Sequence, residues 1–93
     1  MTVTPESVLL PRQDLVVEAF DDALLIWDES TGTLHHLDIR AALVWEHMDG
    51  RPLQEIAVLI AQELDVERES LLDDLVTLGD NLVTRRLARV VAA

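Results

Sequence analysis

The stretch Ala23 to Gly50, ALLIWDESTGTLHHLDIRAALVWEHMDG, leaves this chain little choice of architecture. Ala23 to Asp28 is rich in apolar and aromatic side chains, and Asp28-Glu29-Ser30-Thr31-Gly32 is dense in residues that tolerate tight turns. With Thr33 to Leu37 as the returning run, that order predicts a β-hairpin. Asp38 stands directly before Ile39, where its carboxylate can accept from the free amides that open a helix. The return strand therefore feeds a helix with no linker, and its outer edge has no partner.

The flanks extend this unit on both sides. Leu15 to Phe20 reads as an earlier strand, and the acidic pair Asp21-Asp22 as the turn into Ala23, so three strands form a meander. Met1 to Asp14, with Pro5 and Pro11 around Val8-Leu9-Leu10, reads as an extended N-terminal arm whose resting place is not specified. Residues 15–93 form a single domain, the size for one modest core. Ile39 to Met48 places Ala41, Trp45 and Met48 on one side of the first helix, with Ala42 and Val44 at its margins. Gly50 suits the position past a helix end, and Pro52 the first turn of a second helix striped by Leu53, Ile56, Ala57, Ile60 and Leu64. The expected fold class is α+β, a three-stranded antiparallel sheet followed by three helices. Leu87 to Val91 either frays or adds a short terminal strand.

The last helix, expected from about Glu67 to Arg86, carries two apolar rows. Leu71, Leu75, Leu78 and Leu82 form one face at helical spacing, and Leu72, Val76, Gly79 and Val83 repeat those spacings beside it. A helix that only closes a core needs a stripe of roughly 100°. The second row is either surplus to the core or the margin of a wide stripe packed under the sheet. Gly79 bears on this choice, because a mid-helix glycine costs about 1 kcal/mol against alanine and tends to stand where something comes close.

Composition removes several kinds of chemistry. With no cysteine there are no disulfides, thiolate metal sites or cysteine nucleophiles, and no apolar run approaches the roughly 20 residues that cross a bilayer. The N-terminus lacks the basic start of a signal peptide, so a cytoplasmic protein is expected. Eighteen acidic residues against seven arginines give a formal net charge of −11, a field that disfavours nucleic acid and anionic membranes. His35 and His36 are strand neighbours pointing to opposite faces, and His47 has no second ligand at helical spacing and is expected on the solvent side, so no metal site is expected. Ser7, Ser30 and Ser70 suit caps and turns, and none sits in a glycine-framed elbow. No enzyme and no cofactor are expected. Trp27 and Trp45 fall in apolar elements and are expected to anchor the core, so that Trp45→Ala should cost about 3–5 kcal/mol.

Leu37-Asp38 followed by Ala41-Ala42, then Val44-Trp45, Met48-Asp49-Gly50 and Leu53-Gln54-Glu55-Ile56-Ala57, in an order of three strands and three helices, resembles the PqqD family over about Pro11 to Leu87. Asp38 stands where the family favours asparagine. Arg85-Arg86-Leu87 stands where it usually has a glycine after the last helix.

The resemblance implies a winged helix-turn-helix and the role of a RiPP recognition element, which binds the leader segment of a ribosomally made precursor peptide. By that likeness the leader adds as a strand to the edge Thr33, Leu34, His35, His36 and Leu37, against a groove wall of Leu72, Val76, Gly79 and Val83. Acidic Glu69, Asp73 and Asp80 are expected at the rim, favouring a basic leader, and Val76→Asp is expected to weaken binding while sparing the fold. The implied partners are a leader peptidase, a cyclase or another modifying enzyme, as in lasso-peptide pathways. The PQQ-pathway peptide chaperone is the alternative. A DNA-binding winged helix would need cations that Glu67 to Asp80, with five acidic residues and one arginine, does not supply. Self-association through the open edge is the remaining rival.

Overall fold

The computed structural model describes residues 3–92; Met1 and Thr2 of the arm, and Ala93, lie outside them. Five strands and three helices run in the order β1 Val8–Pro11, β2 Val16–Phe20, β3 Ala23–Asp28, β4 Thr33–Leu37, α1 Ile39–Glu46, α2 Leu53–Leu64, α3 Arg68–Thr84 and β5 Ala88–Ala92. The meander is present as an antiparallel sheet ordered β2-β3-β4, with Trp27 opposite both Val16 and Leu34. Beyond the three expected strands, β1 and β5 form a second antiparallel sheet that pairs Leu9 with Val90 and Pro11 with Ala88.

The pleat sorts the side chains of β3. Leu24, Ile26 and Asp28 face inward and are buried, while Trp27 lies in an outer row with Val16 and Leu34 that is 38%, 54% and 60% exposed respectively. Trp27 is therefore not the core anchor expected of it. A hydrophobic residue on the outer face of a one-layer-covered sheet has nothing to pack beneath. Trp45 is half-buried and packs against the core.

Helix termini explain much of the remaining architecture. The Asp38 carboxylate accepts from the Ala41 amide at 3.0 Å and caps α1 as its position suggests. At the start of α2, Pro52 has no side-chain acceptor, and the amides of Leu53 and Gln54 donate to the carbonyls of Ser7 at 3.0 Å and Pro5 at 2.9 Å. Those amides would otherwise be unpaired, so the arm is fixed by need as well as by packing. Val3, Ser7 and Leu9 are each almost fully buried.

α3 ends with two backbone bonds, Arg86 N–H to Val83 at 3.0 Å and Leu87 N–H to Leu82 at 2.9 Å. This crossed pair is the Schellman closure, which calls for a left-handed residue one place past the cap. Arg86 takes that place with φ of 61°. Leu87 is then fully buried, and β5 runs back beside β1.

Candidate functional site

β4 is bonded to β3 along one edge, and its other edge pairs with no strand among the described residues. That edge borders α3. Two hollows lie along it: one of about 100 Å³ lined by His36, Leu37, Asp38, Ala41, Leu78, Asn81, Leu82 and Arg85. The other, about 440 Å³, is lined by Arg12, Asp28, Ser30, Thr31, Thr33, His35, Arg85 and Arg86. Arg85 belongs to both, so the hollows adjoin in one groove that follows β4. At the far end Arg40 of α1 pairs with Asp74 of α3.

Of the expected edge residues, Thr33, His35, His36 and Leu37 line the groove and Leu34 lies in the outer row, but the expected helical wall does not border it. A Cβ on Gly79 would meet Leu9 at 3.0 Å, Leu53 at 3.2 Å and Val3 at 3.4 Å. The close neighbours of Gly79 are the chain's own arm and the start of α2. Leu72, Val76 and Val83 share that side of the helix by spacing, and all three are half-buried against the core. The stripe beside β4 is instead Leu78, Asn81, Leu82 and Arg85. At 3.6 residues per turn the two stripes lie roughly 140° apart around α3. Leu78, expected in the core row, is half-buried and packs against the core while also lining the groove.

Glu69, Asp73 and Asp80 are exposed and border neither hollow along β4, so they do not form its rim. Cations stand there instead. Arg12 donates to Asp14 at 2.9 and 2.7 Å, to Asp28 at 2.9 Å and to the Arg86 carbonyl at 3.0 Å. Asp28 also accepts from the Ser30 hydroxyl at 2.6 Å and the Ser30 amide at 3.1 Å. The Ser30 hydroxyl and then Arg12 hold the Asp28 carboxyl well below the usual carboxylate range, and Asp14 followed by Asp28 raises the Arg12 guanidinium. Asp28 is ionised and fully engaged. Arg85 and Arg86 make no ion pair among the described residues.

Sequence reasoning missed Arg12, Leu78, Asn81, Arg85 and Arg86 as groove residues. The signal available for α3 was the stripe Asp74, Leu78, Asn81 and Arg85, at the same spacings as the two rows but of mixed polarity. His47, expected on the solvent side, is half-buried: Nδ1 lies 2.7 Å from the Leu43 carbonyl, and Nε2 lies 3.3 Å from Glu63. Among the described residues no three metal-ligating side chains come together, and no helix is long and apolar enough to cross a membrane.

The profile of the PqqD family, described as coenzyme PQQ synthesis protein D, matches residues 8–88. No curated protein sequence matches the chain. Among solved structures, TbiB1 in complex with the TbiA(beta) leader peptide superposes with a TM-score of 0.79 at 25% identity, over 90% of this chain and 99% of that one. The PqqD truncation of Methylobacterium extorquens PqqCD, a functional stand-alone RiPP recognition element, superposes with a TM-score of 0.79 at 16% identity, over 95% of both chains. Lasso peptide synthetase B1 complexed with its leader peptide gives 0.77 at 24% identity, over 88% of this chain and 98% of that one.

Proposed function

The chain belongs to the PqqD family, and from that premise we propose that it binds the leader segment of a ribosomally made precursor peptide and presents it to processing enzymes. The observation that carries this reading is the unpartnered edge of β4 lying beside an open α3 flank. An extended peptide added to that edge forms backbone hydrogen bonds worth about 0.5–1.5 kcal/mol each, while ordering it costs about 1–2 kcal/mol per residue. Those terms nearly cancel. Net affinity comes from apolar side chains, each contributing about 1.5–3 kcal/mol when fully buried. The hollow of about 100 Å³, with Leu37, Ala41, Leu78 and Leu82 on its apolar side and His36, Asp38, Asn81 and Arg85 around them, has room for one anchoring side chain.

The fold shared with lasso peptide synthetase B1 makes a cytoplasmic lasso-peptide pathway, with a separate leader peptidase and cyclase, the setting we infer. This chain is assigned no catalytic step. Hydrogen exchange tests the reading. β4 amides should gain protection when leader is added, and amides of β2, the other open edge of the sheet, should not. Protection confined to β2, or none, overturns strand addition at β4.

A further inference from the structure

We propose that the wide end of the β4–α3 groove is a carboxylate subsite, where Arg85 and Arg86 select a leader carrying aspartate or glutamate beside its apolar anchor. The proposal rests on the leader-binding reading and specifies its ligand.

The distribution of arginines is the first support. Arg12, Arg40 and Arg51 are each engaged by aspartates. Among the described residues Arg68, Arg85, Arg86 and Arg89 make no ion pair, and two of those four border the same cleft of about 440 Å³. Asp28 is the one acidic residue lining that cleft, and Arg12 and Ser30 already use its oxygens. A strongly acidic chain thus has unneutralised cations where an incoming strand would pass. The long-range field of a −11 chain opposes an acidic peptide, but charges farther than about 8 Å are largely screened at physiological ionic strength. Contact with a guanidinium, which binds carboxylate in a two-pronged manner, then decides preference.

The backbone at Arg86 is the second support. Its φ of 61° is a conformation in which a side chain is disfavoured and glycine is at ease. Helix closure therefore gives no reason for arginine there, whereas the cleft does. The Arg86 carbonyl is also tied to the Arg12 guanidinium at 3.0 Å, which fixes this segment at the cleft wall.

The test uses the full chain and a displayed library of random extended peptides. Binders recovered on the wild-type protein should carry an aspartate or glutamate at a constant distance from an apolar residue. Replacing that acid with glutamine should weaken binding about tenfold on the wild type and by less than twofold on the Arg85→Gln/Arg86→Gly double variant. The variant should melt no lower than the wild type, which separates lost recognition from lost folding. Binders that protect β4 amides yet tolerate glutamine equally overturn the subsite and leave strand addition standing. Binders that never protect β4 overturn both.

Discussion

The two flanks of α3, one wholly apolar and one of mixed polarity, repeat at helical spacing and have opposite fates. On one, Leu72, Val76 and Val83 are half-buried against the core, and Leu9, Leu53 and Val3 fill the space above Gly79. On the other, Leu78, Asn81, Leu82 and Arg85 look toward the β4 edge, and the space stays open. What separates them is backbone hydrogen bonding at a distance. The arm is held where α2 needs acceptors for Leu53 and Gln54 and where β5 needs a partner for its own edge. No strand among the described residues pairs with the outer edge of β4. A glycine in an apolar row therefore marks a close approach, but the approaching side chains belong to the chain itself.

The largest expected effect breaks the closed flank. Leu9→Ala should cost about 2–5 kcal/mol, read from chemical denaturation, because Leu9 is 1% exposed and its removal opens a cavity over Gly79. Leader affinity of the folded fraction should stay unchanged. A paired experiment sharpens the contrast, since Val76 and Leu78 are both half-buried on the same helix. Val76→Asp should lower stability by about 2–3 kcal/mol, through a charge set against the packed side. Leu78→Asp should weaken peptide binding at least tenfold, about 1.4 kcal/mol, with a smaller loss of stability. Denaturation midpoints and peptide titrations on both variants would reverse the assignment of the flanks if the two outcomes were exchanged.

Gly79 gives a finer version of the same test. Gly79→Val should destabilise by about 1–3 kcal/mol by overpacking, since even its first carbon meets Leu9 at 3.0 Å. Gly79→Ala should fall near zero, because the gain of about 1 kcal/mol in helix propensity offsets crowding against side-chain tips that can shift slightly. A substantial stabilisation in both variants would mean that the arm does not hold its place above α3.

Much of this was legible in the residues, for reasons that differ by element. The hairpin and the Asp38 cap depend on neighbours in sequence, and local chemistry settles them. The open edge of β4 followed from strand order alone. Helical spacing identifies a stripe but not what the stripe faces, and Leu9, which covers Gly79, sits 70 positions before it. Periodicity is silent about contacts of that range. Trp27 escapes the sequence for a related reason: alternation on a strand gives two faces, and choosing the covered one requires knowing where the helices lie. Arg85 continues the mixed stripe of Leu78 and Asn81, which carries no apolar signal at its end, and Arg86, supplied by the closing turn, has no periodic signature.

A small effect of opposite sign isolates that cap. In Arg86→Gly the left-handed conformation no longer strains a side chain, a relief of about 1–2 kcal/mol, while the freer unfolded chain gives back about 0.4–1 kcal/mol. The net should be a stabilisation of about 0.5–1 kcal/mol in denaturation, with the Leu87 to Leu82 and Arg86 to Val83 closure intact. The bond from Arg12 to the residue 86 carbonyl is made to backbone and survives the change. If the variant is instead destabilised, the arginine side chain contributes packing to the fold that outweighs its strain. The open flank would then be partly built by structure and not held free for a ligand. A more stable protein that binds acidic peptides less tightly would show that the groove's wide end is maintained against the preference of its own backbone.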